Sequence, residues 1–211
     1  MLVLLLTAFL MQLPMPGVPA IPSRTVPQPA PGGNGPRFWE SRPPEEWTRA
    51  EVERLLSDSP WAQSSDIRVY IASAEPVRRA EMLWKDWLKA DPGAEARVVA
   101  EDDYEDFLRQ HPGEHIIVGV ALPNALGTPD PREVAEMEKK SRIKLDKRKY
   151  AMLAFFPPTP GDPVLRMVFP RKFTGDEKKL TLELYLPVIR LPYRNFEFPV
   201  SALEWKGKPA L

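Results

Sequence analysis

The chain has 211 residues, room for one ordinary domain or two small ones, and its 29 acidic side chains balance 29 basic ones. That balance provides no overall field to draw in DNA, RNA or an anionic membrane. There is no cysteine, which excludes a disulfide framework, a thiolate zinc site, an iron–sulfur cluster, a cysteine nucleophile and a lipobox lipid anchor.

Met1 to Met11 reads Met-Leu-Val-Leu-Leu-Leu-Thr-Ala-Phe-Leu-Met. The run suits the apolar region of a secretory signal peptide and is too short to span a bilayer comfortably. Val18-Pro19-Ala20 places small residues where a signal peptidase reads. The expectation is a signal peptide over 1–20 and an exported protein, periplasmic or secreted. No basic residue precedes the apolar run, so a misassigned start, a buried N-terminal segment and an uncleaved anchor are the competing readings. Ten of the 26 prolines lie between Pro14 and Pro44, and Gly32-Gly33-Asn34-Gly35 follows Pro31. Such a stretch cannot bury a face, so 21–37 reads as a disordered tether.

A single globular domain is expected over 38–211, beginning near Phe38-Trp39. Thr48-Arg49-Ala50-Glu51 is a capping box, and Val52, Leu55 and Leu56 form the apolar stripe of the helix it opens. Ser59-Pro60-Trp61-Ala62 ends that helix. The run from Trp47 and Thr48 through Val52, Leu55 and Leu56 to Ser59-Pro60-Trp61-Ala62 resembles a family of exported bacterial proteins with no assigned function. Met167-Val168-Phe169-Pro170-Arg171 is similar to that family's penultimate strand. The segment from Phe196-Glu197-Phe198-Pro199-Val200 to Trp205-Lys206-Gly207-Lys208 is similar to its final hairpin. The resemblance implies export and a single domain, and it carries no catalytic residues.

Ile67, Val69 and Ile71 form one face of a short strand. A helix is predicted over Pro76–Lys89, with Val77, Ala80, Leu83, Trp84, Trp87 and Leu88 along one side and Asp91-Pro92-Gly93 as its stop. Arg97-Val98-Val99 reads as a short strand, and Asp102 or Asp103 caps a helix carrying Tyr104, Phe107 and Leu108. Ile116 to Leu122 is apolar almost throughout, as in a strand covered on both faces. Asp130-Pro131-Arg132-Glu133 opens a further helix running to about Lys140, with a thin apolar face of Val134 and Met137 and hence a surface position.

Period-2 alternation is clearest in Lys179 to Leu186, where leucine fills every second position. Tyr150–Phe156, Val164–Phe169 and Asn195–Phe198 read as further strands, with Leu203–Lys208 as a closing edge strand and turn. The expected class is α+β: a small mixed sheet with packed helices, followed by an antiparallel β-rich C-terminal part.

The chemistry-bearing patterns are few. His111-Pro112-Gly113-Glu114-His115 spells H-x-x-E-H, the inverted zinc-peptidase pattern, which needs a helix to place both imidazoles on one face. Pro112-Gly113 breaks such a helix, so a loop entering a strand is expected instead. G-x-S-x-G is absent, and the Ser73-Ala74-Glu75-Pro76 turn would repel a phosphate. Glu101-Asp102-Asp103-Tyr104-Glu105-Asp106 holds enough carboxylates for a glycosidase pair, but reads first as a solvated helix start. Lys139 to Lys149 carries seven cations against Asp146 alone and reads as a solvated surface or a partner-facing patch. It lacks the interleaved aromatics of a nucleic-acid platform. Trp47, Trp61, Trp84 and Trp87 are expected in the core, with Trp39 and Trp205 as an exposed pair.

No catalytic, cofactor-binding or metal-ligating residue is assigned, and no cofactor is implied. The reading is a non-enzymatic envelope interaction module with a protein or envelope partner, no nucleic acid and no stable membrane span after signal cleavage. The alternative is a carboxylate-dependent hydrolase acting on envelope polysaccharide or peptide.

Overall fold

The leucine alternation is a strand, β8 (Lys179–Tyr185), with Leu180, Leu182 and Leu184 fully buried. It lies inside a four-stranded sheet of order β5-β4-β8-β9, where β4 is Arg142–Leu145, β5 Arg148–Ala151 and β9 Tyr193–Pro199. Ile143 faces Leu182 and Leu145 faces Leu180 on one side, with Phe196 and Phe198 opposite the same leucines on the other. These cross-strand apolar pairs set the register, since a slip by one residue would turn every leucine to water. The computed structural model describes residues 37–90, 103–122, 130–159, 162–187 and 189–211, Leu88 and Lys89 by backbone alone. The expected signal peptide, the tether up to Pro36, the Asp91-Pro92-Gly93 stop and the Arg97–Val99 strand lie outside those residues.

A second sheet has five strands in the order β1-β2-β3-β7-β6. Here β1 is Ala62–Ser64, β2 Arg68–Ile71, β3 His115–Ala121, β6 Ala154–Phe156 and β7 Val164–Pro170. The α+β class is as expected, but the sheet is not mixed: every pairing among the described strands is antiparallel. Helices α3 (Glu75–Lys89) and α4 (Asp103–Gln110) lie between β2 and an antiparallel β3, where a mixed sheet would place a parallel strand. The sheet also draws β6 and β7 from the C-terminal part, so the two expected halves share it.

Tyr150–Phe156 is two strands where one was expected. The chain leaves the four-stranded sheet after Ala151 and joins the five-stranded one at Ala154. Met152 turns inward at the step while Leu153 turns outward, and the Leu153 N–H donates to the Val168 carbonyl at 2.9 Å. At the opposite edges, the Gln63 amide of β1 donates to the Glu197 carbonyl of β9 at 2.6 Å. Apolar residues of both sheets belong to one continuous core.

Local signals place the helices as read. Thr48 caps α2 (Arg49–Ser57) with a complete capping box, and Val52, Leu55 and Leu56 are buried. Asp130 caps α5 (Pro131–Lys140) in the same manner; that helix shows most of its length to solvent and buries Met137. Trp205 and Lys208 pair in the closing hairpin of β10 (Glu204–Trp205) and β11 (Lys208–Pro209). Lys206 and Gly207 have φ of 52° and 71°, the left-handed pair that a two-residue hairpin turn requires.

The exposed tryptophan pair is not found. Trp39, on the single helical turn α1 (Phe38–Ser41), is 3% exposed. Its ring packs edge-on against Phe38 and Trp61, and its carbonyl accepts the indole N–H of half-buried Trp205 at 2.7 Å. Trp47 and Trp61 are in the core as expected, and Trp84 and Trp87 are half-buried against it.

Candidate functional site

One row across the five-stranded sheet sets the site. Tyr70 of β2 pairs with Gly119 of β3, Gly119 with Arg166 of β7, and Arg166 with Phe156 of β6. Residues paired in this way share a face. Helices α3 and α4 contribute Glu81 and Tyr104 to that face. On α3, Val77, Glu81 and Lys85 follow at four-residue intervals, so one side of the helix turns from apolar to charged along its length.

Arg166 is the centre. It is 3% exposed, and one terminal nitrogen donates to Glu81 Oε1 at 2.9 Å while the other donates to Asp162 Oδ2 at 2.6 Å. Glu81 Oε1 also accepts the Tyr70 hydroxyl at 2.7 Å. The guanidinium carbon lies 4.3 Å from the Tyr104 ring centroid, a cation–π contact. Outward from Asp162, Lys85 Nζ stands 3.4 Å away and continues to exposed Glu105 at 3.2 Å. The chain of contacts therefore runs from a fully buried phenol to the surface.

The titration directions follow from burial and these charges. Burial, then the Glu81 carboxylate, raises the Tyr70 hydroxyl well above the ordinary phenol range, and the same two causes raise Tyr104. Burial opposes the charge on Arg166, but Glu81, Tyr70 and Asp162 hold it protonated more firmly than an arginine in water. Both phenols thus keep their protons. Glu81 Oε1 and Asp162 Oδ2 each accept two hydrogen bonds or ionic contacts from their own neighbours. This geometry ties α3, α4, β2, β7 and the turn before β7 together.

The patterns singled out in the sequence fall elsewhere. His111 and His115 flank a turn between α4 and β3 and are not on a helix, as Pro112-Gly113 indicated. Their rings meet edge to face at 5.5 Å, and His111 Nδ1 is 3.2 Å from Glu114 Oε2. No group of three or more potential metal ligands occurs among the described residues. Of the acidic run, Asp103 and Glu105 are exposed, while Tyr104 turns inward to Arg166; Glu101 and Asp102 lie outside the described residues.

The basic run is partly answered by the protein itself. Lys140 pairs with Glu136, Lys144 with Glu183 at 3.2 Å, and Arg148 with buried Glu177. Glu177 also accepts the backbone N–H groups of Thr174 and Gly175 and the Thr174 hydroxyl.

Sequence reading missed the Arg166 network. Two signals were present: an arginine inside the apolar strand Val164-Leu165-Arg166-Met167-Val168, and a glutamate directly after Ala80 in the buried row of α3. Among the described residues the buried charged side chains are Glu81, Arg166 and Glu177, so these two signals mark most of what is buried and ionised. No family model, no curated protein and no solved structure matches the chain.

Proposed function

We propose that this chain is an exported, non-enzymatic interaction module of the cell envelope. The observation that carries the reading is the closure of the buried network: Glu81 Oε1 meets Arg166 and Tyr70, and Asp162 Oδ2 meets Arg166 and Lys85. A hydrolase would need two carboxyl groups roughly 5–10 Å apart and open to a glycan or peptide. Export rests on the apolar run Met1–Met11 with Val18-Pro19-Ala20 after it, and the resemblance to an exported bacterial family agrees with it. Among the described residues no helix is long and apolar enough to cross a membrane.

The test is turnover. Envelope glycans and peptides are incubated with the full chain, with Glu81→Gln and with Asp162→Asn. The expected result is no turnover by any of the three. Turnover by the wild type that either substitution abolishes, in a variant that still unfolds cooperatively, overturns the reading. Export is tested by N-terminal sequencing of the mature protein from envelope and secreted fractions. A start at Ile21 supports it, and a cytoplasmic protein starting at Met1 contradicts it.

A further inference from the structure

We propose that His111 and His115 form an acid-operated latch: neutral, they hold α4 against the five-stranded sheet, and charged, they release it. The pair sits where the helix meets the sheet. His111 follows the last turn of α4, its N–H donating to the Phe107 carbonyl at 2.9 Å, and His115 opens β3. Phe107 of α4 packs against both imidazoles, at 4.8 Å and 5.2 Å between ring centroids, and against Phe156 of β6 at 5.3 Å. The two imidazoles themselves are 5.5 Å apart.

Each ring answers a proton differently. His111 Nδ1 lies 3.2 Å from Glu114 Oε2, so an acceptor is in place when that ring is charged. Nδ1 of His115 is buried and has no hydrogen-bond partner among the described residues. The neutral tautomer with its hydrogen on Nε2 leaves only a lone pair there. The imidazolium instead puts an N–H donor at a point without an acceptor.

The second charge also falls beside the first. Burial and His111 hold the His115 pKa below the usual 6.5, with Glu114 opposing. On the β7 side His115 pairs with Pro170, and the next residue, Arg171, donates to the Gly113 carbonyl at 3.0 Å, adding a further positive charge at the turn. On α4, Asp106 and Arg109 are paired with each other. Phe156 of β6 adds no charge.

Helix α4 is the element that yields. It has eight residues, too few to persist as a helix alone, and of its side chains it buries Tyr104. By contrast, β3 is paired along its length with β7 and, from Val118 to Ala121, with β2. The opening is therefore local. It lifts Tyr104 from Arg166, whose guanidinium carbon lies 4.3 Å from the ring centroid, and parts Glu105 from Lys85. Acid thus uncovers one face of the buried network. Opening takes up a proton, so the latch is closed above pH 6.5 and loosens as the pH falls below it.

Amide hydrogen exchange on the full chain at pH 7.5 and pH 5, corrected for intrinsic rates, tests this. The amides of Phe107 to His111 report α4, and those of Leu182 and Leu184 report the four-stranded sheet. Protection of α4 is expected to fall about 3-fold to 30-fold at pH 5, the larger figure being the limit for one proton taken up on opening. Leu182 and Leu184 are expected to stay at least about tenfold better protected than α4. His115→Phe keeps a ring against Phe107 and is expected to hold the change in α4 under about twofold. His111→Gln removes the neighbouring charge and is expected to cut the response at least about twofold.

The proposal is overturned if α4 keeps its protection at pH 5, if α4 and β8 then exchange together, or if His115→Phe retains the full response. Thermal unfolding at pH 7.5 confirms that each variant is folded. His111→Gln keeps the test decisive should His115→Phe fail to fold, since an undiminished response there also overturns the latch.

Discussion

A Cβ on Gly119 would stand 2.5 Å from Cε2 of Tyr70, so the Tyr70 ring fills the space that any side chain at position 119 would need. The two residues are direct partners across β2 and β3. The contact aims the Tyr70 hydroxyl at Glu81, because the ring lies flat over a strand with nothing to lift it. Gly119→Ala is expected to destabilise the protein by about 1–3 kcal/mol through overpacking. Urea unfolding measures this, and an unchanged midpoint would show that Tyr70 swings aside without cost.

Arg166 and Glu81 are each buried mainly because the other is present. Removing one leaves an uncompensated charge, so Arg166→Met alone should cost about 3–5 kcal/mol. In a Tyr70→Phe background, which removes the hydroxyl that Glu81 accepts, combining Arg166→Met with Glu81→Leu should recover most of that loss, since apolar replacements of similar volume stabilise such sites as well as the ions do. A double-mutant cycle on unfolding free energy gives the coupling directly. Additive costs would mean that the two side chains act independently.

Glu177 makes the fold sensitive to acid. Burial pushes its carboxyl up, but the amide hydrogens of Thr174 and Gly175 and the Thr174 hydroxyl pull it further, down to about 2. The folded-state value lies below the ordinary 4.5, so the unfolded chain binds the proton more readily. The stabilisation is complete above roughly pH 5 and is lost as the pH falls from there toward 2. Glu177→Gln should therefore lower the unfolding midpoint at neutral pH and flatten its fall between pH 5 and pH 2. Parallel curves for the two proteins would contradict this.

His115 gives a second pH dependence in a different window. Burial, then the neighbouring His111, lowers its pKa below the usual 6.5, with Glu114 opposing. Phe107 of α4 packs against its ring at 5.2 Å, and Arg171 reaches the adjacent turn through the Gly113 carbonyl. The unfolded chain protonates His115 more readily, so stability is full above pH 6.5 and declines as the pH falls below it. His115→Phe keeps an aromatic ring against Phe107 and should remove the part of the slope between pH 7 and pH 5. A slope unchanged by the substitution would place its origin elsewhere.

Elements carried by local periodicity were legible in the sequence. The leucines of β8, the capping boxes at Thr48 and Asp130, and the turn at Pro112-Gly113 each depend on residues within a few positions of one another. What could not be read depends on distance along the chain. Tyr70, Glu81, Asp162 and Arg166 come from different elements, and only the antiparallel row through Gly119 brings them together. The step from β5 to β6 was hidden because Met152 and Leu153 are both apolar, and only the pairing shows that one turns in and the other out. Trp39 looked exposed beside a proline-rich stretch, yet Trp205, from the end of the chain, closes over it.

The measurement that most directly tests the structural role of the buried network is a combined Tyr70→Phe, Glu81→Leu, Arg166→Met variant, in which Asp162 keeps Lys85 as partner. Its unfolding and its turnover of envelope glycans and peptides are compared with those of the wild type. The account expects cooperative unfolding and no turnover by either protein, because the network holds helices to the sheet. Loss of cooperative unfolding, or loss of a turnover that the wild type shows, would contradict it.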